Sequence, residues 1–154
     1  MRPSGLWRRL LLAVTMLALG ACASMSTNDA AAPAESLYRR LGGREGIAGV
    51  VDGFVANALA DPRIGPAFKS LPSDRVGPLK TNIADFICEN TGGPCSYGGR
   101  TMKDAHKGMR LTREDFDACN AALVKALDSA KVAPADKEQL MKLVQSLMPD
   151  IVGQ

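Results

Sequence analysis

An all-α fold is predicted by three features of the 154-residue sequence. Apolar residues recur at three- and four-residue intervals along four separate stretches, the spacing of one helix face. Aromatic residues make up only 5% of the chain, and no pair of alternating β-branched runs is joined by a tight turn. Glycine and proline clusters separate the stretches into discrete helices. A hydrophobic content of 46% is enough to fill a core, which excludes global disorder. The length allows one domain with appendages.

Residues 1–21 read as an export signal. Arg2, Arg8 and Arg9 precede an apolar run from 10 to 19, which is too short for a permanent membrane span. The run ends in Leu19-Gly20-Ala21-Cys22, which resembles the bacterial lipobox. That resemblance implies cleavage before Cys22 and acylation at that residue, and several acyl chains anchor stably. Ordinary signal cleavage beside Cys22 is the alternative. Either route places the domain outside the cytoplasm. Ala23 in place of an aspartate points to the outer membrane, periplasmic face. The small and polar residues of 22–35 form a flexible tether, and the remaining domain runs from 36 to 154. Arg2, Arg8 and Arg9 are three of 19 bases, so the mature chain carries 16 bases against 16 acids. No basic stripe with interleaved aromatics remains, and no nucleic-acid partner is expected.

Within the domain, Ser36 is positioned as an N-cap for a short helix starting at Leu37, which Gly42-Gly43 ends. A strong helix is predicted over 44–60, with Ile47, Val50, Val51, Phe54 and Ala58 on one face and Asp61-Pro62 as its stop. Four prolines at 62, 66, 72 and 78 leave no room for a long helix over 62–78. Phe68 is the one large aromatic there, and by itself it reads as a core plug. The next helix is predicted over 79–90, opened by Pro78, with Leu79, Ile83, Phe86 and Ile87 on one face. Gly92-Gly93-Pro94 breaks it. Thr112 with Asp115 forms a capping-box variant before a helix with the stripe Phe116, Cys119, Leu123 and Leu127. After Ala133-Pro134, a last helix carries Leu140, Leu143, Val144, Leu147, Met148 and Ile151.

The sole histidine, His106, lies in a short segment between the second and third long helices. A lone histidine is ordinarily a solvated or hydrogen-bonded surface residue. One histidine cannot build a zinc site without other ligands, and the cysteines show no CxxC spacing. No nucleophile-elbow motif accompanies it. One axial nitrogen for a haem iron is the chemistry that needs a single imidazole on a short segment aimed at an apolar helix.

Taken in order, these pieces resemble a group I truncated globin over residues 36–152. The marks are Leu37-Tyr38 with Gly42-Gly43, Phe54, Leu59-Ala60-Asp61, Phe68, Gly92-Gly93-Pro94 with Tyr97, and Met102-Lys103 followed by His106 and Gly108. The resemblance implies a two-over-two helical sandwich around haem b, with His106 as the proximal iron ligand. Phe68 then packs on the haem face, and Lys103 is a partner for a propionate. The chain departs from the family on the distal side. Val55 stands where a tyrosine commonly follows Phe54, and Leu79 and Ile83 fill positions that often include a glutamine. An apolar distal pocket gives bound O₂ no donor, so weaker O₂ retention is expected. Asn82 borders that face, either as a rotated donor or as a solvated edge residue.

The spacing of Cys88 and Cys95 leaves two alternatives, a disulfide in an oxidising compartment or one buried and one free thiol. Cys119 reads as a core thiol. The function expected is reversible binding of O₂, NO or CO at the cell envelope, anchored to the membrane at Cys22. Conversion of NO with O₂ to nitrate is possible chemistry and requires a reductase partner. The alternatives are a gas or redox sensor and a haem-free structural helical lipoprotein.

Overall fold

The computed structural model describes residues 35–154. The expected signal peptide, Cys22 and the tether before Glu35 lie outside the described residues. Eight helices are present among them: α1 (Leu37–Arg40), α2 (Gly43–Ala60), α3 (Gly65–Lys69), α4 (Ser73–Asn90), α5 (Met102–His106), α6 (Arg113–Ser129), α7 (Pro134–Ser146) and α8 (Met148–Ile151). The architecture is all-helical, as the periodicity predicts. Helix α2 packs on α4 and crosses α6, α6 pairs with α7, and α5 rests on α8. The two helix pairs form the two layers.

On α2 the predicted stripe residues Ile47, Val50, Val51 and Ala58 are buried and Phe54 is half-buried, while Val55, outside that stripe, is buried as well. Ile47, Val50, Val51 and Val55 are enclosed with Leu37, Leu41, Ile87, Leu123, Leu127 and Leu140 in the main core. A second cluster joins Ala58, Ile64 and Ala122, with Phe54, Phe68, Ala118 and Cys119 packed against it. The capping box at α6 forms as read. Thr112 Oγ1 accepts from the Asp115 backbone N–H at 3.2 Å, and the Asp115 carboxylate accepts from the Thr112 N–H at 2.9 Å. The Thr112 backbone N–H and then the Thr112 hydroxyl, both donating to the carboxylate, hold Asp115 below its ordinary pKa.

Ser36 stands at the N-cap of α1 as expected, without a side-chain cap bond; its carbonyl accepts from the Arg39 and Arg40 N–H groups. Two sequence expectations are corrected. The start of α4 moves to Ser73, so Pro78 lies inside the helix. A proline there removes one bond near the helix start, and the turns that follow remain intact. The extended backbone at Pro72 sets the true N-terminus. Finally, the last helix divides at Leu147, and Pro149 sits at the start of α8. Pro149 has no N–H for the carbonyl one turn back, which ends α7.

Cys88 and Cys95 are joined by a disulfide with a Cα–Cα distance of 5.8 Å. It ties the C-terminal end of α4 to the loop that leads to α5. Arg44 sits over this corner, with Nη1 3.2 Å from Asp85 Oδ1 and Nη2 3.3 Å from Cys95 Sγ. Closing so short a loop contributes about 2–3 kcal/mol. Replacing both cysteines with serine should lower the unfolding free energy from urea titration by that amount and shift the midpoint down. An unchanged midpoint would show that the corner is held by its packing alone.

Candidate functional site

The loop from 91 to 101 aims the histidine helix. Tyr97 packs edge-on against Phe86 of α4, with ring centroids 5.2 Å apart. Its hydroxyl donates to the Arg100 carbonyl at 2.7 Å. Thr101 then caps α5, accepting from the Asp104 N–H at 3.1 Å. Gly108, at φ +83°, ends this segment in the left-handed region that suits glycine. The chain end straps the far side: the Arg110 N–H donates to the Gln154 carbonyl at 2.7 Å, and the Gly153 N–H to the Leu111 carbonyl at 2.9 Å.

His106 is half-buried at the end of α5. Its Nδ1 lies 2.7 Å from the Met102 carbonyl oxygen. A carbonyl only accepts, so Nδ1 carries the proton and Nε2 keeps its lone pair. Nε2 has no hydrogen-bond partner among the described residues. An imidazole held at one nitrogen and open at the other is the donor arrangement of an axial iron ligand. Among the described residues no group of three or more His, Cys, Asp or Glu could hold a bare metal ion. A porphyrin fits this donor set, since it brings four nitrogens of its own.

The surroundings fit a flat apolar group. Helices α4 and α5 are not among the main packing pairs. The apolar residues on α4 (Leu79, Ile83, Phe86), on α5 (Met102, Ala105) and on α7 (Leu143, Val144) are all only half-buried. Such faces have no full protein cover. Phe68 and Phe54 meet edge-on at 6.0 Å, so the aromatic of the α3 segment joins that of α2. Two clefts of about 270 Å³ occur elsewhere, one beside Asn57 and Asp61 and the other beside Arg44 and Lys80. His106 lines neither of them, and neither carries an arrangement of this kind.

The remaining predicted positions are less uniform. Val55 is 3% exposed and sits inside the main core. Lys103 is exposed, with no ion-pair partner among the described residues. Asn82 is exposed, which favours the solvated-edge reading over a ligand donor. Asn120, which no sequence motif marks, is 8% exposed, and its Nδ2 meets no acceptor among the described residues. An unpaired buried amide costs about 1–3 kcal/mol. The legible signal was an asparagine in register with Phe116, Leu123 and Leu127.

Cys119 packs with Phe54 and Phe68. Burial, and then the charges of Asp115 and Asp61, push its thiol pKa up to about 11. The neutral thiol is favoured in the fold, so this contribution to stability is fully present below the ordinary thiol pKa and is lost as pH rises from there through about 11. Iodoacetamide at pH 8 should alkylate Cys119 roughly a hundredfold more slowly than an exposed cysteine, because the thiolate is the nucleophile. Equal rates would show that the thiol is open to solvent.

The helix pairs, and a short helix offering one imidazole nitrogen, define a class: the two-over-two globins, whose cofactor is haem. The family model of bacterial-like globins matches residues 36–152. The chain is 32% identical to the group 1 truncated haemoglobin of Tetrahymena pyriformis, over 77% of this chain and 96% of that one. It is likewise 32% identical to a group 1 truncated haemoglobin of Mycolicibacterium paratuberculosis, over 75% and 83%. The crystal structure of the Tetrahymena pyriformis protein in its Fe(III) form superposes with a TM-score of 0.72 at 31% identity, covering 78% of this chain and all of that one. The 2/2 haemoglobin of a Synechococcus species, with covalently attached haem, gives 0.70 at 28% identity over 78% and 100%. The chain belongs to the bacterial-like globin family, among the group 1 truncated haemoglobins.

Proposed function

We propose that this chain binds haem b through His106 and reversibly takes O₂, NO or CO at the cell envelope. The observation that carries the reading is the Nδ1 bond to the Met102 carbonyl, which fixes the ring and leaves Nε2 free. Haem in this position supplies an iron with one open site for a diatomic gas. His106 holds its ring plane through α5, and α5 is set by Thr101 and the Tyr97 contact. Phe54 and Phe68 offer an aromatic wall, and Lys103 is free to meet a propionate. Leu79, Ile83 and Val55 offer no hydrogen-bond donor to the gas.

The envelope location and the lipid anchor at Cys22 are supported by the signal segment of the sequence. Turnover of NO with O₂ to nitrate consumes one electron per cycle, so it requires a reductase partner. The test is the optical spectrum of the purified ferrous protein with and without CO. A Soret band that shifts with CO supports gas binding, whereas its absence leaves a haem-free structural lipoprotein. NO consumption with a reductant then separates enzyme from sensor.

The apolar distal side predicts a further outcome. Ile83→Gln, at a half-buried position, should slow O₂ release roughly tenfold, because a hydrogen bond to a partly charged ligand contributes about 1.5–3 kcal/mol. Stopped-flow displacement of O₂ by CO reads it. Unchanged release would mean that the glutamine amide does not reach the ligand or that another donor already serves it.

A further inference from the structure

We infer that the exposed basic segment around α5, made of Arg100, Lys107 and Arg110 with Met109 among them, docks a small acidic electron-carrier protein that re-reduces the haem iron. The inference rests on the haem-globin reading above.

The charge distribution is uneven. Over 35–154 the chain holds 16 bases and 15 acids, yet 96–111 holds four bases and one acid, Asp104. The Asp104 carboxylate is already engaged by the Thr101 hydroxyl at 2.7 Å. Eight of the other twelve bases form ion pairs. None of these four has an ion-pair partner among the described residues, and all four are exposed. A run of unpaired cations from Arg100 to Arg110, which outnumbers Asp104 and the exposed Asp150 of the neighbouring α8, gives this segment of a near-neutral domain a net positive charge that steers an anionic partner toward it.

The apolar content of this face also suits a protein partner. Met109 is 50% exposed, one of two large exposed hydrophobic side chains among the described residues. Exposed methionine beside arginine matches the composition of protein interface centres, and its flexible thioether adapts to a partner. A face built for a lipid surface carries Trp, Phe or Leu beside its bases, and the exposed residues of 96–111 include none of them.

Position completes the argument. Lys107 follows His106 directly, so a partner seated here approaches the proximal side. The step transfers one electron: the carrier is oxidised by one electron and ferric iron becomes ferrous, with no proton or bond exchanged. A globin that loses its ferrous state by oxidation needs such a donor.

The experiment uses the haem-loaded full chain in detergent and a dithionite-reduced acidic [2Fe–2S] ferredoxin as the donor. Reduction of the ferric globin is followed by stopped flow at about 10 mM and about 200 mM salt, where the screening length falls from roughly 30 Å to under 10 Å. The wild-type second-order rate should fall tenfold or more with salt, and Lys107→Glu/Arg110→Glu should be at least tenfold slower at low salt. Calorimetric titration with oxidised ferredoxin should show binding that the double variant loses. The CO-bound spectrum should be unchanged, which shows that the haem site is intact. Equal rates and binding in wild type and variant overturn the inference. So does charge-dependent binding to phosphatidylglycerol vesicles with no effect on ferredoxin. Absence of a Soret band in the wild type overturns the reading beneath it instead.

Discussion

His106→Gly should abolish stable haem binding, with the rate of haem loss rising by a hundredfold or more. Loss of a partner that merely orients a metal ligand costs 10–100-fold in affinity, and removing the ligand itself exceeds that. Glycine leaves a space of imidazole size, so added imidazole should restore the Soret band of the ferrous form. The fold should survive, because His106 is half-buried at the last position of a five-residue helix and contributes one side-chain bond. Far-UV circular dichroism checks that separately. A variant that keeps the wild-type ferrous spectrum without imidazole would show that the iron is held elsewhere and would remove the basis of the proposed function.

Gly46→Ala should be the most damaging of the small substitutions, although it adds one methyl group on a helix. A Cβ at this position would lie 2.0 Å from the Leu41 carbonyl oxygen. That oxygen belongs to backbone pinned on both sides. The Leu41 N–H donates to the Leu37 carbonyl at 2.8 Å, the Gly42 N–H to the Arg39 carbonyl at 2.9 Å, and the Leu41 side chain is 5% exposed in the core. Relief requires the α1–α2 corner to open, and forced overpacking of this sort costs about 1–3 kcal/mol or more. The expected readout is a fall in Tm of roughly 10 °C. Gly49→Ala, three residues on, meets nothing within 4 Å and should be neutral or slightly stabilising, since alanine is the better helix former. Equal effects at the two positions would contradict the close approach at Gly46.

The two outcomes show different degrees of legibility in the sequence. His106 could be singled out because it is the only imidazole and sits between two periodic stretches. Gly46 could not, because its requirement comes from the path of a carbonyl five residues earlier. The Gly42-Gly43 pair was visible as a turn, and Gly42 does adopt φ +86°. Gly46 looked like an ordinary helix interior residue.

The same division runs through the helices. Proline chemistry predicted a break at 62–78, but α4 begins at Ser73 and continues through Pro78, because packing of α4 on α2 outweighs one lost backbone bond. Pro149 does break its helix, near a terminus where less packing opposes it. The pairing of Cys88 with Cys95 could not be decided from spacing, since it depends on whether the turn at 91–94 brings the two Cα atoms within bridging distance. The Asn120 amide was hidden in a stripe that periodicity assigns to the core.

Sequence alone determined the helical class, the boundaries of α2, the capping box of α6 and the single histidine that is the candidate iron ligand. These are local properties, set by residue spacing and by hydrogen bonds within a few positions. The tertiary structure decided which imidazole nitrogen is free, that Phe68 meets Phe54, that Val55 is enclosed, and that four cations beside His106 stay unpaired. Each of those depends on what distant segments bring to the same place, which chain order does not encode position by position.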